Sequence, residues 1–92
     1  MERGEIWLVN FAPQIGAEIQ KNRPALVVSA QGLMPLATRI VVPFRDRKPH
    51  QSTADCSQVK SFDKARFLHK IGEVSHTELQ SLLESLALCL GM

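Results

Sequence analysis

The chain is short of cysteine, of long apolar runs and of excess charge of either sign, and each shortage closes off a class of protein. Only two cysteines, Cys56 and Cys89, occur in 92 residues. Neither belongs to a CxxC pair, and neither is spaced with His50, His69 or His76 as zinc ligands are, so both read as reduced structural thiols and no metal site or cofactor is expected. No apolar stretch approaches the roughly 20 residues that a membrane span requires. The opening MERGEIWLV lacks the basic-then-apolar layout of a secretion signal. A cytoplasmic protein with no membrane association is therefore expected. Internal repeats and low-complexity segments are absent too, and a net charge of +2 is too small to mark a nucleic-acid binder by itself.

What is present is an ordinary globular composition, 45% hydrophobic and 22% charged. At this length we expect a single domain over residues 1–92 with one modest core, near the size at which oligomerisation often supplements stability. The distribution of charge says more than its sum. Ten of the eleven basic residues fall between Lys21 and Lys70, against three acids there (Asp46, Asp55, Asp63), while six of the nine acids lie outside that middle. Such a layout makes a positive face for phosphates or spreads its charge around a barrel, and the sequence leaves both open.

Hydrophobic patterning predicts mostly strands. GEIWLVNF alternates and predicts a strand over 4–11, followed by a polar, turn-rich loop that ends at Arg23. PALVVSA is a continuous apolar run of the kind buried on both faces, broken by Gly32 and Pro35 in QGLMPLA. TRIVVPF predicts a third strand. After the charged RDRKPHQST, the stretch ADCSQVKSF reads as a fourth, with Ala54, Cys56 and Val59 facing inward. DKARFLHKIGEV reads as a turn and then a strand ending at Gly72. Ser75 and Glu78 form a capping box, and Leu79, Leu82, Leu83, Leu86 and Leu90 recur at helical spacing, which predicts an amphipathic core helix over His76–Cys89. The expected fold class is mainly β with a C-terminal helix: a small, strongly curved sheet or barrel with the helix packed against it.

These segments carry a family likeness. The block RGEIWLVNFAPQIGAEIQKNRPALVVS, with Arg3, Gly4, Pro13, Gly16, Glu18, Arg23 and Pro24, resembles the amino-terminal signature of the MazF/PemK toxins. The likeness continues through VVPF, the Gln58 segment QVKS, DKARF, Gly72 and the last helix. It implies a small SH3-like barrel of the MazF/CcdB-like toxin fold, a homodimer, and metal-independent endoribonuclease activity on single-stranded messenger RNA. It further implies a cognate antitoxin lying over the same groove; we expect an acidic, extended segment that orders on binding.

RNA cleavage of this kind has the ribose 2′-hydroxyl attack its own phosphate, which calls for a proton acceptor, a donor at the leaving 5′ oxygen and positive charge on the phosphorane. Arg23 suits the last task, because its guanidinium forks onto phosphate oxygens and Pro24 biases its backbone toward an extended form. It resembles the catalytic arginine of the family. Glu18 is the candidate acceptor, or else it pairs with Lys21 or Arg23 and organises the loop. Lys21, Arg39, Arg47, Gln58 and Lys60 are the candidate RNA contacts. Among aromatics, Phe11 is the one considered for base stacking; Trp7 is read as core or dimer contact.

The sequence departs from the family pattern in three elements. Arg45 stands where many relatives have a threonine or serine after V-P-x, so Arg45 enters the catalytic set as the replacement, with Ser52 or Thr53 as alternative hydroxyl donors. Asp55 and Ser57 replace part of an Arg-x-Asp-Gln arrangement of which Gln58 is retained. Ala17 replaces a histidine found in one branch. The connection from Phe44 to Ala54 is also short. These departures favour a second reading, a relative that holds RNA or antitoxin without cutting. A third, a gyrase-directed toxin of the same fold, is opposed by the RNA-type amino-terminal block.

Overall fold

The computed structural model describes residues 1–13, 21–49 and 53–92. Five strands, β1 (Glu5–Asn10), β2 (Asn22–Val27), β3 (Thr38–Pro43), β4 (Lys60–Asp63) and β5 (Phe67–Glu73), form one antiparallel sheet, and α1 (His76–Cys89) follows. Their order across the sheet is β4-β3-β2-β1-β5. The mainly β class with a carboxy-terminal helix is as the sequence suggests. The sheet, however, is open rather than a closed barrel, with β4 and β5 as its two edges.

Alternation along β2 decides how the sheet is covered. Leu26 and Val28 point to one face, where Ile6, Val42, Phe44, Cys56 and Leu82 complete a core against which Leu79, Leu83 and Leu86 of α1 pack. Ala25 and Val27 point to the other and meet Val9, Val41 and Phe67, roofed by Met1, Trp7, Phe11 and Phe62. The apolar run Pro24–Val28 is thus buried on both sides, as expected of a continuous run.

The helix has the predicted bounds because both ends are closed chemically. The Ser75 hydroxyl accepts from the Glu78 N–H at 3.1 Å and the Glu78 carboxylate accepts from the Ser75 N–H at 3.2 Å, a complete capping box. At the other end Gly91 takes φ +76°, and the N–H groups of Met92 and Gly91 reach the carbonyls of Ala87 and Leu88. That left-handed termination suits glycine.

One predicted strand is corrected. In ADCSQVKSF, Ala54 makes only an isolated bridge to Phe44, Cys56–Gln58 is a 3-10 turn, and pairing begins at Lys60. Asp55 and Ser57 bond one another side chain to side chain at 2.7 Å, and the Gln58 N–H returns to the Asp55 carbonyl at 3.1 Å. Short polar side chains that satisfy local groups turn the chain out of the ladder. Cys56 still points inward; its burial comes first among the causes that push its thiol pKa up, with the neighbouring Cys89 and Asp55 adding to it.

The start of β1 is pinned by Glu5. Its carboxylate accepts from the Glu2 N–H and the Trp7 indole, each at 2.9 Å, and pairs with Lys70 at 3.2 Å and the amino group of Met1 at 3.5 Å. Burial opposes the charged form, but these donors and the amino-terminal charge outweigh it and lower the Glu5 pKa from 4.5 to about 2. A carboxyl depressed in the folded state contributes stability above the unfolded value that is lost as pH falls through the folded one. Urea midpoints should therefore drop between pH 4.5 and about 2. The Glu5 share of that drop, after solvent screening, is about 1–2 kcal/mol. Comparison with Glu5→Gln, which lacks this share and is weaker already at pH 6, checks the assignment.

Candidate nucleic-acid interface

Antiparallel register carries the face of the second core outward to a groove. Residues directly opposite one another point the same way, so the pairs Val9↔Arg23, Ala25↔Pro43 and Val41↔Lys60 set Arg23, Pro43 and Lys60 on the side of Val9, Ala25 and Val41, away from α1. There Phe11, Lys21, Arg23, Pro43, Gln58 and Lys60 line an open pocket of about 200 Å³.

Each lining residue arrives for a local reason. Arg23 lies inside β2, extended as the following proline favours. Lys21 is fixed by its carbonyl, which accepts from the Phe11 N–H at 3.0 Å and closes the two ends of the β1–β2 connection. Gln58 ends the 3-10 turn and Lys60 begins β4. Phe11 leaves β1 with its ring edge-on to Phe62, centroids 4.8 Å apart.

The described lining thus has three cations, one amide, an aromatic face and no acid. Among the described residues, no carboxylate pairs with Lys21, Arg23 or Lys60. Cations converging on an open surface create a local positive potential and offer donors to an anion such as phosphate. Arg23 adds a planar fork that two phosphate oxygens can meet together. No group of three His, Cys, Asp or Glu side chains placed to hold a metal ion occurs among the described residues.

Four of the residues singled out in the sequence, Lys21, Arg23, Gln58 and Lys60, come together here, and Phe11 joins them. Glu18, with Ala17 and Ser52, lies outside the described residues. Arg45 and Arg47 are exposed on the connection after β3 and are not among the pocket's lining residues; the Arg45 N–H bonds the Thr53 carbonyl at 2.7 Å. Thr53 itself is buried.

Arg39 is a correction. It is only 5% exposed, and its guanidinium donates to the carbonyls of Met1, Leu36, Thr38 and Met34 at 2.8–2.9 Å. Four of its five N–H donors serve the backbone around the start of β3 and the amino terminus, and the side chain is buried, so it is a structural arginine rather than an RNA contact. Trp7 is likewise structural, edge-on to Phe67 at 6.2 Å with its indole N–H on Glu5. Sequence reasoning missed Pro43, whose burial beside the groove follows only from strand register.

An open, mostly antiparallel β fold with a helix on one face and a cationic groove on the other defines a small β protein with an anion-accepting surface. The sequence matches, over residues 2–51 and 35–90, the family described as PemK-like, MazF-like toxin of type II toxin-antitoxin system, and the chain belongs to that family. It is 48% identical over 40 residues to the endoribonuclease MazF9 of Mycobacterium tuberculosis. That match covers 44% of this chain and 34% of the relative, so the shared segment spans about a third of the relative's length. Among solved structures, a mycobacterial endoribonuclease in complex with its cognate antitoxin superposes with a TM-score of 0.79 at 17% identity, covering 100% of this chain and 96% of that one. MazF from Deinococcus radiodurans gives 0.78 at 23% identity, covering 100% and 97%. At such identities the likeness is one of fold. No helix among the described residues is long and apolar enough to cross a membrane.

Proposed function

We propose that the protein is the toxin of a cytoplasmic toxin-antitoxin pair, a homodimer whose groove holds single-stranded RNA and cuts it without a metal ion. The observation that carries this reading is the meeting of Lys21, Arg23, Gln58 and Lys60 beside Phe11 in one pocket of a chain that belongs to the toxin family. In the proposed step the ribose 2′-oxygen attacks the adjacent phosphorus, its proton passing to Glu18. The bond to the 5′ oxygen breaks, that oxygen takes a proton from solvent, and a 2′,3′-cyclic phosphate remains. Arg23, assisted by Lys21 and Lys60, neutralises charge that grows on the phosphorane oxygens, where preorganised donors act most strongly. Gln58 supplies an amide for a nonbridging oxygen or a base edge, and Phe11 a stacking face. That a solved structure of the same fold is an endoribonuclease in complex with its cognate antitoxin supports a cognate antitoxin as a partner of this chain, and the cationic groove is the surface that an acidic, extended segment would cover.

A second reading, holding RNA without cutting, is favoured by Ser57, whose hydroxyl is engaged by Asp55, and by the position of Arg45 away from the pocket lining. Purified protein incubated with mixed-sequence single-stranded RNA, in chelator and with no added metal, separates the two. Discrete cuts with 5′-hydroxyl ends are expected. Intact RNA retained by the protein would move the assignment to the non-cutting reading, and RNA neither cut nor retained would overturn both.

A further inference from the structure

Phe11 and the start of the β1–β2 connection are held in place from below by one side chain that the groove does not contain. Arg66 belongs to the 3-10 turn Lys64–Arg66, itself fixed by Asp63, whose carboxylate accepts the Ala65 N–H at 2.8 Å. From there its guanidinium crosses to the far end of β1. One terminal nitrogen donates to the carbonyls of Asn10 (3.2 Å) and Ala12, and the other to the carbonyl of Pro13 at 3.0 Å. Its charged carbon lies 5.4 Å from the centre of the Phe62 ring. Phe62 in turn meets Phe11 edge-on at 4.8 Å, and Phe11 lines the pocket.

This is a continuous chain of contacts from the β4–β5 turn to the groove. The carbonyls of Asn10, Ala12 and Pro13, at and just beyond the end of β1, must find donors, and a planar fork can serve them together beside an aromatic ring. A lysine has the charge and lacks the fork. The same short segment is also clasped from its own side, because the Asn10 amide oxygen accepts the Ala12 N–H at 2.8 Å and the Phe11 N–H reaches the Lys21 carbonyl. Lys21 and Arg23 flank that last bond, so a shift of residues 10–13 is passed directly to two groove cations.

We propose that Arg66 is a positioning residue for the RNA site: it fixes the backbone of Asn10–Pro13, and through Phe62 and Phe11 it sets the aromatic wall and the Lys21 side of the groove, without touching RNA. The assignment to RNA rests on the function proposed above, whereas the clamp itself rests on geometry alone.

Two measurements keep these apart. Amide hydrogen exchange followed residue by residue in Arg66→Ala, Arg66→Lys and Phe62→Leu, at a temperature where all remain folded, reads the clamp with no RNA present. Exchange at Phe11 and Ala12 should rise at least about tenfold in both Arg66 variants and less in Phe62→Leu, with Leu26 and Val42 unchanged. Wild-type exchange at Phe11 and Ala12, or a uniform rise across the sheet, would overturn the clamp.

RNA cleavage below the unfolding range reads the consequence. Misplacement of the groove wall is expected to lower kcat/KM about 10–100-fold in Arg66→Ala and nearly as far in Arg66→Lys. Wild-type kinetics in the Arg66 variants would overturn the link from clamp to groove. Absence of cleavage in the wild-type protein would overturn the ribonuclease reading on which the RNA part rests, and the exchange data would still decide the clamp.

Discussion

Replacing Arg23 by alanine should lower RNA cleavage by about 10²–10³-fold while leaving the thermal midpoint within a few degrees of wild type. The two halves of this expectation come from different facts. Arg23 is exposed at the amino-terminal end of β2, and among the described residues it holds no ion pair, so the fold does not depend on its charge. The rest of its strand, by contrast, is buried from Pro24 to Val27, which seats Arg23 on a rigid base. Removing one preorganised donor from a developing oxyanion costs about 3–4 kcal/mol of transition-state stabilisation. Arg23→Lys should recover part of the loss, since it restores the charge and not the fork. Single-turnover cleavage and a melting curve on the same samples check both statements. An Arg23→Ala protein that cuts at the wild-type rate would place the reacting phosphate elsewhere.

Leu26→Ala should be the complementary case, with a loss of about 3–5 kcal/mol and a fall in the melting midpoint of roughly 15–25 °C. Leu26 is fully buried in the central strand, packed with Ile6, Val42, Phe44 and Leu82 beneath α1. The loss of the leucine carbons beyond Cβ and the cavity left behind act together there, because the ladders on both sides prevent the backbone from closing the gap. For a chain of this size that is a large fraction of the whole stability. Chemical denaturation with unchanged slope is the measurement; a loss under 1 kcal/mol would mean that the helix repacks into the space.

Much of this was legible in the sequence where the signal is local. The helix could be read because a capping box, a leucine repeat and a terminal glycine all act within a few residues of one another. The first three strands could be read because alternation and unbroken apolar runs map directly onto exposure. β2 began two residues earlier than its apolar run, at Asn22, since pairing with Asn10 and Val9 extends the strand through polar residues. The 3-10 turn at Cys56–Gln58 was hidden because Asp55 and Ser57 satisfy each other, which a strand pattern does not register.

The site was legible in the same uneven way. Lys21, Arg23, Gln58 and Lys60 were found from a basic middle and a family likeness, and strand register brings them to one pocket. Arg39 looked equivalent to them in sequence. Its difference lies in four carbonyls: those of Met34, Leu36 and Thr38 are near in sequence, but only the folded chain turns them, together with that of Met1, onto one buried guanidinium. Arg66 was missed for a related reason: its partners Asn10, Ala12 and Pro13 lie more than fifty positions away.

The alternation of β2 has a consequence for how this protein tolerates change. Odd positions of that strand face the pocket side and even positions face the helix, but only Arg23 reaches the pocket, while Ala25 and Val27 are buried in the second core, so the strand divides along its length into a site end and a core end. In a library of single substitutions sorted once by survival of heating and once by growth arrest of the host, changes at Arg23 should survive heating and lose growth arrest, whereas changes at Ala25, Leu26 and Val27 should fail both. The pocket can then be retuned for another anion at its rim, through Arg23, while the buried residues beyond it are strengthened for heat.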